Sequence, residues 1–231
     1  MPDRDRPLLA VLIDADNVPA KYAPAILDEV KTIGEPALRR VYGDWTSGRL
    51  SSWSECIHNL GLVAHQETAN TTGKNASDIG LVIDAMDILH GGRFDGFVLV
   101  SSDSDFTALA NRLREDGLLV IGIGENKCPQ ALRNVCNRFI IIENLLNTGA
   151  EAPKQPKALN QASQRLRNII QNADTDDDWV TLSYLGKAVN NAYPDFDTRT
   201  YGHAKLSALV RALPVFELKT ENGRLMVHLK P

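Results

Sequence analysis

Several absences narrow this sequence before any motif does. No apolar stretch reaches the ~18 to 20 residues that a membrane-spanning helix needs, and the opening residues Met1 to Arg6 are polar, without the apolar run of a secretion signal. A cytoplasmic protein with no membrane partner is the expectation. Cysteine is scarce: Cys56, Cys128 and Cys136 are an odd number with neither CxxC nor paired CxH spacing, which argues against a disulfide framework or a zinc site and leaves three reduced thiols as packing residues. Internal repeats and low-complexity tracts are missing. So is a large charge of one sign: the net charge of −4 speaks against tight nonspecific DNA binding, which draws its affinity from many phosphate contacts. The glycines of Ile121-Gly122-Ile123-Gly124 lack the third glycine and the strand-first placement of a dinucleotide fingerprint.

What is present is enough apolar material, 43% of 231 residues, for a packed core. Its charge is uneven: residues 1–150 hold 14 basic and 20 acidic groups, whereas residues 161–231 hold 9 and 8. Carboxylates in excess are usually a solvated surface, but they also form metal sites that await a cation. Placement decides between the two.

The first 145 residues alternate β-branched runs with amphipathic segments, the pattern of βαβ units in a parallel sheet covered on both faces. The runs are Leu8–Ile13, Ala37–Tyr42, Leu62–Gln66, Phe97–Ser101, Leu118–Ile123 and Phe139–Ile142, with helices expected near 18–32, 48–59, 77–90, 104–116 and 129–136. Right-handed crossovers then make the fold α/β, a Rossmann-like parallel sheet. Residues 147–160, with two prolines and no hydrophobic periodicity, read as an exposed linker between a domain over 1–146 and a second, small domain over 161–231. There, helices near 161–172, 182–192 and 198–213 precede a hairpin turned by Asn222-Gly223, which together suggest a winged helix.

In an open parallel sheet, ligands bind beyond the carboxyl ends of the strands. Asp14 follows LLAVLI and Asp103 follows FVLVSS, with Asp16 and Asp105 two residues further on; Asp44 follows RRVYG. Asp78 falls in the first turn of a helix that Ser77 is placed to cap, on the face shared by Leu81, Val82 and Ala85. Singly, each acid reads as a helix cap or as a partner of the helix dipole. Gathered at one sheet edge they repel, a cost that a hard cation such as Mg²⁺ or Mn²⁺ offsets through oxygen ligands. No His or Cys joins them by spacing, which argues against zinc.

The segments VLIDADNVP, KNASDIGLVIDAMDIL and VLVSSDSDFTALANRLREDGLLVIGIG resemble an NYN domain of the PIN-like nuclease superfamily, over roughly Leu8 to Leu146. The resemblance implies a PIN-like fold, with Asp14 and Asn17 as the first motif, Asp78 the second and Asp103 the third. Asp14, Asp78 and Asp103 become metal ligands, Asn17 orients water or phosphate, and Asp44, Ser102 and Asp105 stand behind them. Residues 161–231, centred on YGHAKLSALVRALPVFEL, are similar to the OST-HTH (LOTUS) domain, a winged-helix module associated with RNA. The implied activity is metal-dependent hydrolysis of RNA, single-stranded or structured. Lys74 in TANTTGKNAS lies within reach of a substrate backbone. Arg199, Tyr201, His203, Lys205 and Arg211, expected on or just before the third helix of the second domain, are placed to touch phosphate or stack on bases.

Two other classes remain open at this point. Asp14-Ala-Asp-Asn-Val fits the nucleophile motif of haloacid-dehalogenase-type phosphatases, but IGIGENKC offers one acid, Glu125, where that chemistry needs a pair, and Asp103/Asp105 comes too early. The other class is an inert NYN domain whose winged helix recruits RNA or a protein, with self-association also open. The acidic run Asp174 to Asp178 reads as a solvated loop.

Overall fold

The computed structural model describes residues 5–66, 76–146, 156–173 and 179–230. The chain divides into two compact units, Met1–Leu146 and Asn147–Pro231. Lys74 and the Asp174–Asp178 run lie outside the described residues, as does the side chain of Ser77.

In the first unit the strands are β1 (Leu8–Asp14), β2 (Glu35–Gly43), β3 (Val63–Gln66), β4 (Gly96–Val100), β5 (Leu119–Gly124) and β6 (Arg138–Ile141). The helices are α1 (Ala23–Ile33), α2 (Ser51–Leu60), α3 (Ala76–His90), α4 (Thr107–Glu115), α5 (Gln130–Val135) and α6 (Glu143–Leu146). The sheet is parallel in the order β3-β2-β1-β4-β5-β6, the expected α/β architecture. Strand β1 is buried almost throughout and β4 throughout, because helices cover both faces. The pleat sorts each strand between two cores. Leu9, Val11, Ile13, Val98 and Val100 pack under α1 and α2, while Ala10, Leu12, Phe97 and Leu99 pack under α3, α4 and α5. Strand order reverses between β1 and β4, so a crevice opens there beyond their carboxyl ends.

The second unit has α7 (Pro156–Gln171), β7 (Trp179–Thr181), α8 (Leu182–Ala192), α9 (Leu206–Ala212), β8 (Phe216–Glu221) and β9 (Arg224–Leu229), with an antiparallel sheet ordered β7-β9-β8. Its core includes Leu166, Leu185, Val189, Leu209, Val210 and Val227. Asn222 and Gly223 take φ of 50° and 74°, the positive angles expected of the hairpin turn. Three expectations need correction. Helix α7 starts at Pro156, so residues 156–160 belong to a helix instead of a linker, and Ala158 and Leu159 pack on the core. The strand β7 adds to the hairpin. The helix expected over 198–213 is broken: a 3-10 turn covers Thr198–Tyr201, Gly202 takes φ of 79°, and only Leu206–Ala212 is α-helical. Glycine allows that left-handed step at no steric cost.

Candidate functional site

The site is built by the pleat. Leu12 and Leu99 point to the α3 side of the sheet, so by the two-residue period Asp14 and Ser101 point there too. Ser101 Oγ donates to Asp14 Oδ2 at 2.9 Å and accepts from Asp103 N at 3.1 Å, tying the ends of β1 and β4 together. Asp14 is 1% exposed. Its Oδ1 accepts from the backbone N–H groups of Asp16 (3.2 Å) and Asn17 (3.3 Å), and its Oδ2 also accepts from Asn17 Nδ2 at 2.6 Å. Burial pushes the Asp14 carboxyl upward, and these hydrogen bonds pull against that rise.

Helix α3 brings Asp78 to the same edge. Leu81, Ala85 and Ile88 are buried against the sheet and Val82 half-buried, which turns Asp78 toward the strand ends. Its carboxyl is pushed up to about 6, first by burial and then by repulsion from Asp14, Asp103, Asp105 and Asp16. Asp103 takes the other wall. Its Oδ1 accepts from Asp105 N at 2.9 Å, capping the 3-10 turn Ser104–Phe106. The cap role and membership of the acidic group therefore coexist in one side chain.

Two other expected residues have partners of their own. Asp44 caps a 3-10 turn and is held below the ordinary carboxylate range by hydrogen bonds from Thr46 and then Gln66. Ser102 Oγ accepts from Glu125 N at 2.8 Å, so that hydroxyl joins the ends of β4 and β5, while Ser101 serves Asp14. Sequence reading gave Ser102 a supporting place and did not single out Ser101, whose link to Asp14 follows from the pleat. Asp16, noted beside Asp14 but given no role there, is exposed, 3.6 Å from Arg49, and adds to the repulsion on Asp78. A further unpredicted feature braces α3. Tyr42, the register partner of Asp14, donates through its hydroxyl to Asp84, and Arg40 donates to the same carboxylate.

Oxygen donors alone make this set, which suits a hard divalent cation and not zinc. Among the described residues, no three His, Cys, Asp or Glu stand close enough to hold a metal as they are. Four donors occupy the roughly four lone-pair sites of the Asp14 carboxylate. The Asn17 amide belongs to an exposed residue.

In the second unit the expected RNA contacts separate. Tyr201 is 4% exposed, in the core beside Phe196 with ring centroids 5.6 Å apart, so it is not available for stacking on a base; this corrects its assignment. Arg199 is engaged by Asp197, Nη2 to Oδ2 at 2.7 Å. His203 is half-buried in the turn, Lys205 is exposed at the N-cap of α9, and Arg211 is exposed in its last turn.

Comparison with known proteins adds the following. The NYN domain family matches residues 8–143, and the OST-HTH/LOTUS domain family matches residues 157–227. A Vibrio parahaemolyticus protein of unknown function has a crystal structure similar to this one, at 19% identity and a TM-score of 0.50, over 62% of this chain and 96% of that one. The solution structure of an uncharacterized Nitrosomonas europaea protein is similar at 30% identity, with a TM-score of 0.28, over 36% of this chain and 83% of that one. No curated protein matches the chain. Among the described residues, no helix is long and apolar enough to cross a membrane.

Proposed function

We propose, for a chain that belongs to the NYN domain family and carries an OST-HTH/LOTUS domain behind it, that it is a metal-dependent ribonuclease cutting RNA at the β1–β4 switch point. The NYN domain makes it a member of a nuclease superfamily, and the OST-HTH/LOTUS domain is an RNA-binding module. The observation carrying the finer reading is the Asp14–Ser101–Asp103 link at the ends of β1 and β4, with Asp78 on the first turn of α3 near enough for Asp14 and Asp103 to raise its carboxyl.

In this reading Asp14, Asp78 and Asp103 hold Mg²⁺ or Mn²⁺. A cation there supplies positive charge to a phosphoryl oxygen and lowers the pKa of an attacking water. Ser101 aims Asp14 and favours its charged form by donating to it. Asn17 gives up its bond to Asp14 and turns its amide to the phosphate or the water. Asp16 and Asp105 add negative charge that strengthens cation binding. Lys74, Arg199, His203, Lys205 and Arg211 are the proposed RNA contacts. The test is cleavage of single-stranded and structured RNA by the purified chain in Mn²⁺ or Mg²⁺. Cleavage lost in EDTA and in Asp14→Asn supports the reading; intact RNA, or an Asp14→Asn variant as active as the native chain, removes it.

A second reading rests on the saturated hydrogen bonding of Asp14. An NYN domain whose carboxylate never exchanges a donor for a cation is inert, and the chain is then an RNA- or protein-binding regulator acting through residues 157–227. RNA binding without cleavage, unchanged by Asp14→Asn, is its signature. The phosphatase reading gains no support, since residues 14–18 fall within the NYN match.

A further inference from the structure

Beside the acidic group, α3 breaks the usual rule for a solvated helix face. Ile79 and Ile83, four residues apart on one ridge, are 61% and 58% exposed. Farther along the exposed side of α3 the residues turn polar, with Asp87 and His90 in solvent. Uncovered apolar surface is thus confined to the turns bordering the site. There it forms one wall of a crevice of about 280 Å³, lined by Asp78, Ile79, Val82, Ile83, Asp105 and Phe106.

Resting on the nuclease reading above, we infer that this crevice receives one unpaired base of the substrate strand, adjoining the phosphate to be cut. Its volume lies at the lower edge of the ~300 to 1,000 Å³ usual for small-ligand sites, which suits a single planar ring system and leaves no room for a base pair. The walls are apolar, matching the faces of a base. The rim is acceptor-only: Asp105 is exposed there and meets the N–H edge of the ring. An apolar side chain from a protein partner would strip water from Asp78 and Asp105 and return no donor. Guanine, which sets two adjacent N–H groups on one edge, fits the rim best. Uracil, whose one ring N–H lies between two carbonyl oxygens, fits it worst.

The test uses the full chain with Ile83→Trp, an exposed position where an indole joins the crevice wall without entering the core. Guanosine 5′-monophosphate, which has no phosphodiester bond to cut, is titrated in Mn²⁺ against this variant and the native chain. Expected is fluorescence quenching confined to the variant, at lower concentration with guanosine than with uridine 5′-monophosphate. In parallel, Ile83→Asp raises KM for single-stranded RNA about tenfold with kcat unchanged, since stacking of one base is worth a factor of that order. Absent quenching, or equal quenching by the two nucleotides, overturns the inference. So does a dimer in sedimentation that Ile83→Asp splits while KM holds, because the crevice is then an interface between copies. Quenching without any RNA cleavage sinks the nuclease reading alone; cleavage without quenching sinks the crevice alone.

Discussion

Asp14 in the first unit and Tyr201 in the second are both nearly sealed from solvent, at 1% and 4% exposure, yet their burial means different things. Tyr201 is an apolar ring packed on Phe196, with burial raising its hydroxyl pKa; hiding it stabilises a small domain. Asp14 is a carboxylate that folding would more cheaply leave in water. Four donors hold it, and its charge is one of those that raise the carboxyl of Asp78. The contrast teaches that burial alone does not mark a functional residue. A buried group whose position opposes stability is the better candidate.

The largest effect that breaks this comparison is Asp78→Asn. RNA cleavage is expected to fall by about 10³-fold or more, as for loss of a metal ligand, while the urea midpoint of the metal-free chain rises because repulsion is relieved. A fall in both would make Asp78 an ordinary structural residue. Next is Tyr201→Ala, expected to cost the second unit about 3 to 5 kcal/mol as a large-to-small core change. It leaves the first unit's unfolding unaltered, which denaturation followed by hydrogen exchange of each unit reads out.

Ser101→Ala removes a buried hydrogen bond to a charged group and costs about 1.5 to 3 kcal/mol. Ser102→Ala, whose partner is a neutral backbone N–H, costs less. Equal losses would deny Ser101 its special link to Asp14. A pH titration of stability is a finer probe. The folded-state pKa of Asp78 is raised from 3.8 to about 6, so its contribution is fully present below 3.8 and is lost as pH rises through about 6. Saturating Mn²⁺ should flatten that dependence. The smallest effects belong to the exposed cations of α9: Lys205→Ala and Arg211→Ala are each expected to lower the salt slope of RNA binding by about 1, with little change in stability.

Sequence patterning carried the first unit well, because a parallel sheet buried on both faces must be written as apolar runs, and the ends of those runs are where Asp14 and Asp103 lie. Asp78 was legible from the spacing of Leu81, Val82 and Ala85. What patterning did not carry was the link of Ser101 to Asp14 and the Arg40–Asp84–Tyr42 brace, both of which join residues distant in sequence. In the second unit the helix expected over 198–213 has a real core face in Leu209 and Val210, with Leu206 packed beside them. It was extended backward across Gly202, whose left-handed φ ends any helix reaching it. Tyr201, read as lying on that helix, went inward instead.

The central claim is that Asp14, Asp78 and Asp103 act as one cation site at the β1–β4 edge. A crystal of the full chain soaked in Mn²⁺ and measured for anomalous scattering tests it most directly. The account predicts a peak ligated by all three carboxylates, with the Asn17 amide moved off Asp14 Oδ2. A peak held by other residues, or one at this edge that omits any of the three, would contradict it.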